Sequence, residues 1–132
     1  MTNKILNEQQ LKAICDVLAD TGRGLTKTEL TRLLEQCQIA LMDDGKSNNG
    51  YTYSIGLNKR DWLYSCFVNE INVHHSFGKV FIFIEKALNP VSYTNTASRD
   101  KYDFLFEEIN KALLLIGLSV SKEGRLSEAV QA

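Results

Sequence analysis

The sequence predicts a mainly α-helical fold, a compact bundle of about five helices with a winged-helix-like start and a small C-terminal β-hairpin. Five segments repeat apolar residues at three- and four-residue spacing. Two of these segments open with a capping box, and the last stretch of the chain alternates apolar and polar residues around a turn. With 132 residues, 44% of them hydrophobic and one proline, the chain fits a single domain, residues 1–132.

The first two helices are predicted from their amino-terminal caps. Asn7 with Gln10 forms one capping box, and Thr26 with Glu29 forms the second. Gly22 is placed to end the first helix. The apolar faces are Leu11, Ile14, Cys15 and Leu18 in the first helix and Leu30, Leu33, Leu34 and Cys37 in the second. Two helices joined by a short turn predict a helical hairpin, similar to the start of winged-helix proteins.

A long polar loop is expected at about residues 42–57, where glycine, asparagine and aspartate concentrate around a short strand-like stretch, "YTYSI". The third helix should begin at Asn58, because Leu57 and Trp62 stand at the positions of a hydrophobic staple. Its inward face would carry Leu63, Cys66, Phe67 and Ile71.

The segment containing "VFIFI" fits either a buried strand or a helix, because β-branched and aromatic residues favour strands. Helix is favoured, since the apolar spacing continues to Leu88 and Asn89-Pro90 follows as a terminator. A fifth helix is expected from about Ser98, ending at Gly117. Its apolar face would carry Tyr102, Leu105, Phe106, Ile109, Ala112, Leu113 and Ile116.

The last part of the chain, "LSVSKEGRLSEAV", alternates on both sides of Glu123-Gly124 and predicts a β-hairpin. Residues 127–132 are expected to begin a linker. No apolar core of a signal peptide follows Lys4, and the longest apolar run, "ALLLIGL", is too short to cross a bilayer. These features predict a cytoplasmic protein without a membrane segment. The three cysteines stand within apolar helical patterns and are expected to be buried thiols.

Catalytic chemistry is nearly absent from the sequence. His74-His75 is the only histidine cluster, and adjacent histidines on an extended segment would point to opposite sides, which predicts a solvated loop pair. Asp43-Asp44-Gly45 lacks the alternating ligands of a calcium loop, and Glu107-Glu108 fits an exposed helix face. We therefore expect no enzyme, no metal and no cofactor. A small hydrolase using His74 or His75 is the weakest of three functional hypotheses.

Binding to DNA or RNA is a stronger alternative. Lys59 and Arg60 at the start of the third helix, with Lys122 and Arg125 flanking the hairpin tip, would contact phosphates in a winged-helix arrangement. The net charge of −1 and the separation of about 18 residues between helices two and three weigh against this hypothesis. Clustering of these cations on one face would favour nucleic acid, and dispersal would favour a protein partner.

Four stretches carry a family resemblance: "LTKTELTRLLEQCQI", "NKRDWLYSCFVNE", "VFIFIEKALNPVSY" and "EINKALLLIGLSVSKEGRL". Together they resemble the amino-terminal domain of bacterial AbiJ-type abortive-infection proteins, over about Leu11 to Leu126. The distinctive positions include Ala87-Leu88-Asn89-Pro90 with Tyr93, and Asn110 followed by Gly117-Leu118. Asn89 stands where an aspartate is expected, and the loop at 42–57 is longer than expected.

The resemblance implies a scaffold that senses, regulates or recruits, while a fused HEPN-type domain supplies RNA cleavage in such proteins. Neither His74 nor His75 has the upstream arginine of the HEPN motif, so the nuclease is not expected in this chain. The first hypothesis is thus a non-enzymatic sensor or adaptor domain of a phage-defence system. It would contact a protein partner or effector domain, or self-associate as a homo-oligomer.

Overall fold

A computed structural model describes residues 6–43, 58–93 and 96–128 of the chain. Within these ranges the elements are α1 (Glu8–Leu18), α2 (Lys27–Gln36), α3 (Lys59–His74), α4 (Gly78–Ala87), a 3-10 turn (Pro90–Ser92), α5 (Thr96–Leu114), β1 (Leu118–Val120) and β2 (Leu126–Glu128). The two strands pair antiparallel. The predicted fold class, mainly helical with a C-terminal hairpin, is confirmed.

The amino-terminal caps of the first three helices are those predicted from the sequence. Asn7 Oδ1 accepts a hydrogen bond from the backbone N–H of Gln10 at 2.8 Å, and the Gln10 side chain accepts from the backbone N–H of Asn7 at 3.0 Å. Thr26 and Glu29 form the same reciprocal pair at the start of α2. Asn58 caps α3. These caps satisfy backbone donors that would otherwise lack partners, and so they fix where each helix begins.

The predicted end of the first helix is wrong. Helix α1 stops at Leu18, four residues before Gly22. The turn is made instead by Asp20, whose Oδ1 accepts from the backbone N–H groups of Gly22 at 3.1 Å and Arg23 at 3.0 Å. The glycine that the turn requires is Gly24, because a Cβ atom there would lie 2.4 Å from the backbone nitrogen of Asp20. An aspartate turn therefore replaces the glycine cap.

The "VFIFI" segment is helical, as favoured from the sequence, and forms most of α4. Its strand-like composition reflects burial on a wide face rather than extended backbone, since the buried residues are Val80, Phe81, Phe83, Ile84 and Ala87. The rings of Phe67 and Phe83 meet edge to face at 5.1 Å between centroids, which joins α3 to α4. Helix α4 ends before Asn89-Pro90, as predicted.

The buried side chains form one hydrophobic cluster to which every described helix contributes. Helix α1 packs mainly on α3 and α5, and α2 packs on α4. The fifth helix starts at Thr96, two residues before the predicted start, and Gly117 follows its end with a φ of 76°. Trp62 is buried, and its indole N–H donates to the carbonyl of Met42 at 2.7 Å. Its predicted staple partner, Leu57, lies outside the described residues.

Two side chains hold the hairpin against the helices. Asn110 of α5 accepts a hydrogen bond from the Val120 N–H at 2.6 Å and donates to the Val120 carbonyl at 3.2 Å. Glu85 of α4 accepts from the backbone N–H of Leu126 at 2.9 Å. The tip is also packed, since a Cβ atom at Gly124 would lie 3.1 Å from the Cα atom of Asn89. The hairpin is therefore fixed on α4 and α5 instead of projecting from them.

Residues 44–57, which include most of the predicted loop and the "YTYSI" stretch, lie outside the described residues. Strand β2 extends to Glu128, so residues 127 and 128 of the expected linker belong to the hairpin, and residues 129–132 again lie outside. Among the helices in the described ranges, none has the length and apolar character needed to cross a membrane.

Candidate ligand-binding cleft

Lys59, the first of the four cations predicted to contact phosphate, is bound inward. Its ammonium group donates to the backbone carbonyls of Leu25 at 2.8 Å and Asp20 at 3.1 Å. Burial of the ammonium group lowers the pKa of Lys59 from its ordinary value. Its charge therefore joins the start of α3 to the turn between α1 and α2.

The other three predicted cations lie in separate places. The Arg60 guanidinium is 3.8 Å from the carboxylate of Asp16 on α1. Lys122 and Arg125 are both exposed but line different grooves on the two sides of the hairpin turn. Lys59 and Arg60 line neither of those grooves. Lys59 and Arg60 thus contact α1 and the turn that follows it, while Lys122 and Arg125 lie at the hairpin turn.

Both histidines are exposed, as predicted, but the extended segment expected for them is wrong. His74 is the last residue of α3, and His75 ends the helix in the left-handed conformation, with a φ of 52°. The Nδ1 atom of His74 lies 2.8 Å from a carboxylate oxygen of Glu70, which is only 3% exposed. Lys79 approaches the same carboxylate at 3.8 Å. His74 and Glu70 thus interact across one turn at the end of α3, and the Glu70 carboxylate is buried.

The three thiols, Cys15, Cys37 and Cys66, are buried as predicted. Burial raises the pKa of each, most strongly that of Cys15. Their sulfur atoms are thus held in the thiol form rather than as reactive thiolates. Within residues 6–43, 58–93 and 96–128, no group of three or more histidine, cysteine, aspartate or glutamate side chains could hold a metal ion.

A cleft of about 390 Å³ lies between the 3-10 turn, α5 and the hairpin turn. We call it the Tyr102 cleft; it is lined by Pro90, Tyr93, Arg99, Tyr102, Asp103, Phe106 and Lys122. Three aromatic rings form a continuous series: Tyr93 and Tyr102 have centroids 5.3 Å apart, and Tyr102 and Phe106 stack at 5.7 Å with 25° between their planes.

The series is anchored at one end. Tyr93 is buried, and its hydroxyl donates to the carbonyl of Ala87 at 2.6 Å, so its ring is fixed against the end of α4. Tyr102 and Phe106 are only partly buried and present their rings to the cleft. The Tyr102 hydroxyl donates to the carbonyl of Lys122 at 3.4 Å, which ties the platform to the hairpin turn.

Charged side chains surround this platform. Arg99 and Lys122 are exposed, and in the described part of the chain neither makes an ion pair with another side chain. Burial raises the pKa of Tyr102, and the carboxylates of Asp103 and Glu123 raise it further. Tyr102 therefore remains a neutral hydroxyl that can donate a hydrogen bond.

The sequence predicted one residue of this cleft as functional, Lys122. Tyr102 and Phe106 were assigned to the inner face of the fifth helix, because their spacing fits a core stripe. The signal that distinguishes them is Arg99, which precedes Tyr102 by three residues and Asp103 by four, so charged and aromatic side chains share one face of α5. Lys122 joins this face only through the fold.

Comparison of the chain with protein-family models, with curated proteins and with solved structures finds no match.

Proposed function

We propose that this chain is a non-enzymatic sensor or adaptor domain of a bacterial abortive-infection system. The resemblance of its sequence to AbiJ-type amino-terminal domains supplies the biological context. The observation that carries the sensing role is the Tyr102 cleft, in which a fixed aromatic platform meets two cations without ion-pair partners in the described residues. Concave sites with a few convergent polar groups are the usual place for ligands.

The non-enzymatic character is supported by the structural use of the chemically capable groups. His74 interacts with the buried carboxylate of Glu70, and Lys59 is bound to two backbone carbonyls. The thiols of Cys15 and Cys66 are buried and have raised pKa values. A nucleophile needs an adjacent base and access to substrate, and these groups are committed to the fold instead.

The adaptor role is supported by two exposed leucine side chains at the end of α5. Leu114 and Leu115 are 59% and 74% exposed and adjacent in sequence, immediately before the turn into the hairpin. Single exposed leucines are ordinary, but two adjacent ones form a compact apolar surface suited to a protein contact. Sedimentation velocity over a concentration series should reveal self-association that Leu114→Lys/Leu115→Lys removes; a monomer at every concentration would leave contact with a different protein as the adaptor mechanism.

The sensing role is tested by thermal denaturation of the purified protein against a panel of nucleotides, amino acids, sugar phosphates and organic acids. A ligand that binds the folded state raises the melting temperature. We expect stabilisation by one chemical class, lost in Tyr102→Ala and retained in Arg125→Ala, whose side chain lines a different groove. Stabilisation by no class, or equal loss in both variants, would contradict a sensor that uses this cleft.

The defence context is tested by plating phage on bacteria that carry the gene in its native locus on a vector. We expect fewer plaques with the wild-type locus than with the empty vector, and loss of protection when the locus encodes Tyr102→Ala. Unchanged plaque numbers for the wild-type gene over a broad phage panel would contradict the abortive-infection role.

A DNA- or RNA-binding regulator is the second candidate function, and the position of Lys122 beside aromatic rings favours it. Binding to labelled double-stranded DNA and to RNA should then weaken steeply with salt, because lysine and arginine side chains that contact phosphates displace counterions from the nucleic acid. Since Lys59 is occupied within the fold, Lys122→Glu/Arg125→Glu is a cleaner test than a change at Lys59. Failure to bind either nucleic acid at low salt would exclude this candidate.

A further inference from the structure

The residues that line the Tyr102 cleft indicate the chemical class of its ligand, on the premise that the cleft is the sensing site proposed above. The partly exposed rings of Tyr102 and Phe106 stack on each other with 25° between their planes, and the centroid of the buried Tyr93 ring lies 5.3 Å from that of Tyr102. A planar ring system is the natural occupant of such a platform. Nucleobases pack readily against aromatic side chains, because every base has a flat π face.

The two cations of the cleft call for an anionic group attached to that planar ring. Arg99 comes from α5 and Lys122 from the hairpin turn, so the cleft receives positive charge from two elements. Neither makes an ion pair with another described side chain. Arginine and lysine are the residues that proteins use for phosphate, the first through its planar fork and the second as a point charge.

Asp103 adds a hydrogen-bond acceptor to the same lining. Its carboxylate would repel phosphate but would accept hydrogen bonds from an amino group on the edge of a base. Two cations opposed by Asp103, with Glu123 also acting on Tyr102, leave little excess positive charge. That balance suits a single phosphate better than a triphosphate.

We propose that the Tyr102 cleft binds a nucleobase bearing an exocyclic amino group together with one adjacent phosphate. The base packs against the Tyr102–Phe106 ring pair and donates its amino hydrogen to Asp103, while the phosphate contacts Arg99 and Lys122. A cleft of about 390 Å³ lies at the small end of the range for small-molecule sites, in keeping with one nucleotide. The same chemistry occurs in a free nucleoside monophosphate and at the phosphorylated end of a single-stranded RNA.

The test is isothermal titration of the full chain with adenosine, guanosine, cytidine, inosine and uridine monophosphates. We expect at least one of the three amino-bearing nucleotides to bind, with inosine and uridine monophosphates weaker by about tenfold, the effect of one lost hydrogen bond to a charged group. Asp103→Ala should reduce this preference. Adenosine and inorganic phosphate, each offering half of the recognised chemistry, should both bind more weakly than adenosine monophosphate.

The variants separate stacking from folding. Tyr102→Ala should weaken binding about tenfold or more, whereas Tyr102→Phe, which keeps the ring, should stay within about threefold of the wild type. Arg99→Ala and Lys122→Ala should also weaken binding, and Arg125→Ala should not. Equal affinity of Tyr102→Ala and the wild type, or equal effects of Lys122→Ala and Arg125→Ala, would overturn the proposal.

The two sources of the ligand are separated by a short single-stranded RNA with a 5′ phosphate. Binding at least about tenfold tighter than the monophosphate, with competition between the two, identifies an RNA end; equal affinity identifies the free nucleotide. If no nucleotide or RNA binds, the proposal is wrong. If another class then stabilises the protein in a Tyr102-dependent manner, the sensing function remains and only the nucleotide assignment falls.

Discussion

The ammonium group of Lys59 links parts of the backbone that are distant in sequence. It donates to carbonyl oxygens at Asp20 and Leu25, on the turn between α1 and α2, from the first position of α3. A carbonyl deprived of its donor in a partly buried site loses more than an exposed one, since water replaces the donor poorly there. Arg60, one residue later, reaches only an exposed carboxylate at 3.8 Å.

We therefore expect Lys59→Met to destabilise the protein by about 1 to 2 kcal/mol, because it removes two hydrogen bonds from a charged donor. The matched change Arg60→Met should cost less than about 0.5 kcal/mol, as exposed ion pairs usually do. Urea unfolding followed by circular dichroism measures both. Equal losses for the two variants would show that the inward bonds of Lys59 do not stabilise the fold.

Trp62 is a second residue whose role can be measured directly. It is 3% exposed, and its indole N–H bonds to the Met42 carbonyl. We expect Trp62→Ala to cost about 3 to 5 kcal/mol, as truncation of a buried aromatic residue does. Trp62→Phe should cost clearly less, since most of the volume remains. A melting temperature unchanged in Trp62→Ala would mean that the start of α3 does not pack as described.

At the scale of elements, the starts of α1 and α2 were predictable because a capping box is encoded within four consecutive residues. The end of α1 was not, since Gly22 fits a glycine cap and yet Asp20 forms the turn through its side chain. His74 was misplaced for a related reason. It is the last residue of α3 and contacts Glu70 one helical turn earlier, a pairing that the histidine spacing alone did not indicate.

The hairpin depends on Asn110, which both donates to and accepts from the backbone of Val120. We expect Asn110→Ala to destabilise the protein by about 1 to 3 kcal/mol, because both backbone groups lose a partner in a partly buried position. Hydrogen exchange should show lower protection of the Val120 amide, whereas Lys111→Ala on the same helix should leave that amide unchanged. Unaltered protection in Asn110→Ala would mean that β2 and packing hold the hairpin without this side chain.

Glu29 gives the α2–α5 contact a pH dependence. Burial alone would raise its pKa, but the hydrogen bonds and charge of Lys101, with the bond from Thr26, lower the pKa below its ordinary value of 4.5. A carboxyl whose folded-state pKa is depressed stabilises the protein fully above its unfolded-state pKa. That stabilisation is lost as the pH falls through the folded-state value.

We expect Glu29→Gln, which keeps a side chain able to cap, to be less stable than the wild type by roughly 0.5 to 1 kcal/mol at pH 7. The difference should shrink as the pH falls through the folded-state pKa of Glu29, because below that pKa the carboxyl is protonated in both states. Urea unfolding at several pH values measures it, with Glu35→Gln on the exposed side of α2 as control. A difference that does not change with pH would show that the charge of Glu29 is not the cause.

At the scale of the whole molecule, the Tyr102 cleft exists only because three elements meet. Tyr93 follows the 3-10 turn directly, α5 supplies Arg99, Tyr102 and Phe106, and the hairpin turn supplies Lys122. Periodicity predicted the helix and the hairpin but contains no information on how they approach one another. The mostly helical class was accessible from local patterns, and the cleft was not, because it depends on the docking of the hairpin through side chains of α4 and α5.

The most direct measurement of whether this cleft is the working surface is amide NMR during titration with adenosine monophosphate. We expect saturable shifts centred on Tyr93, Tyr102 and Lys122, and their loss in Tyr102→Ala. Shifts centred on the exposed Leu114-Leu115 surface, or the absence of saturable shifts at millimolar concentrations of the adenosine, guanosine and cytidine monophosphates, would contradict nucleotide binding at the Tyr102 cleft.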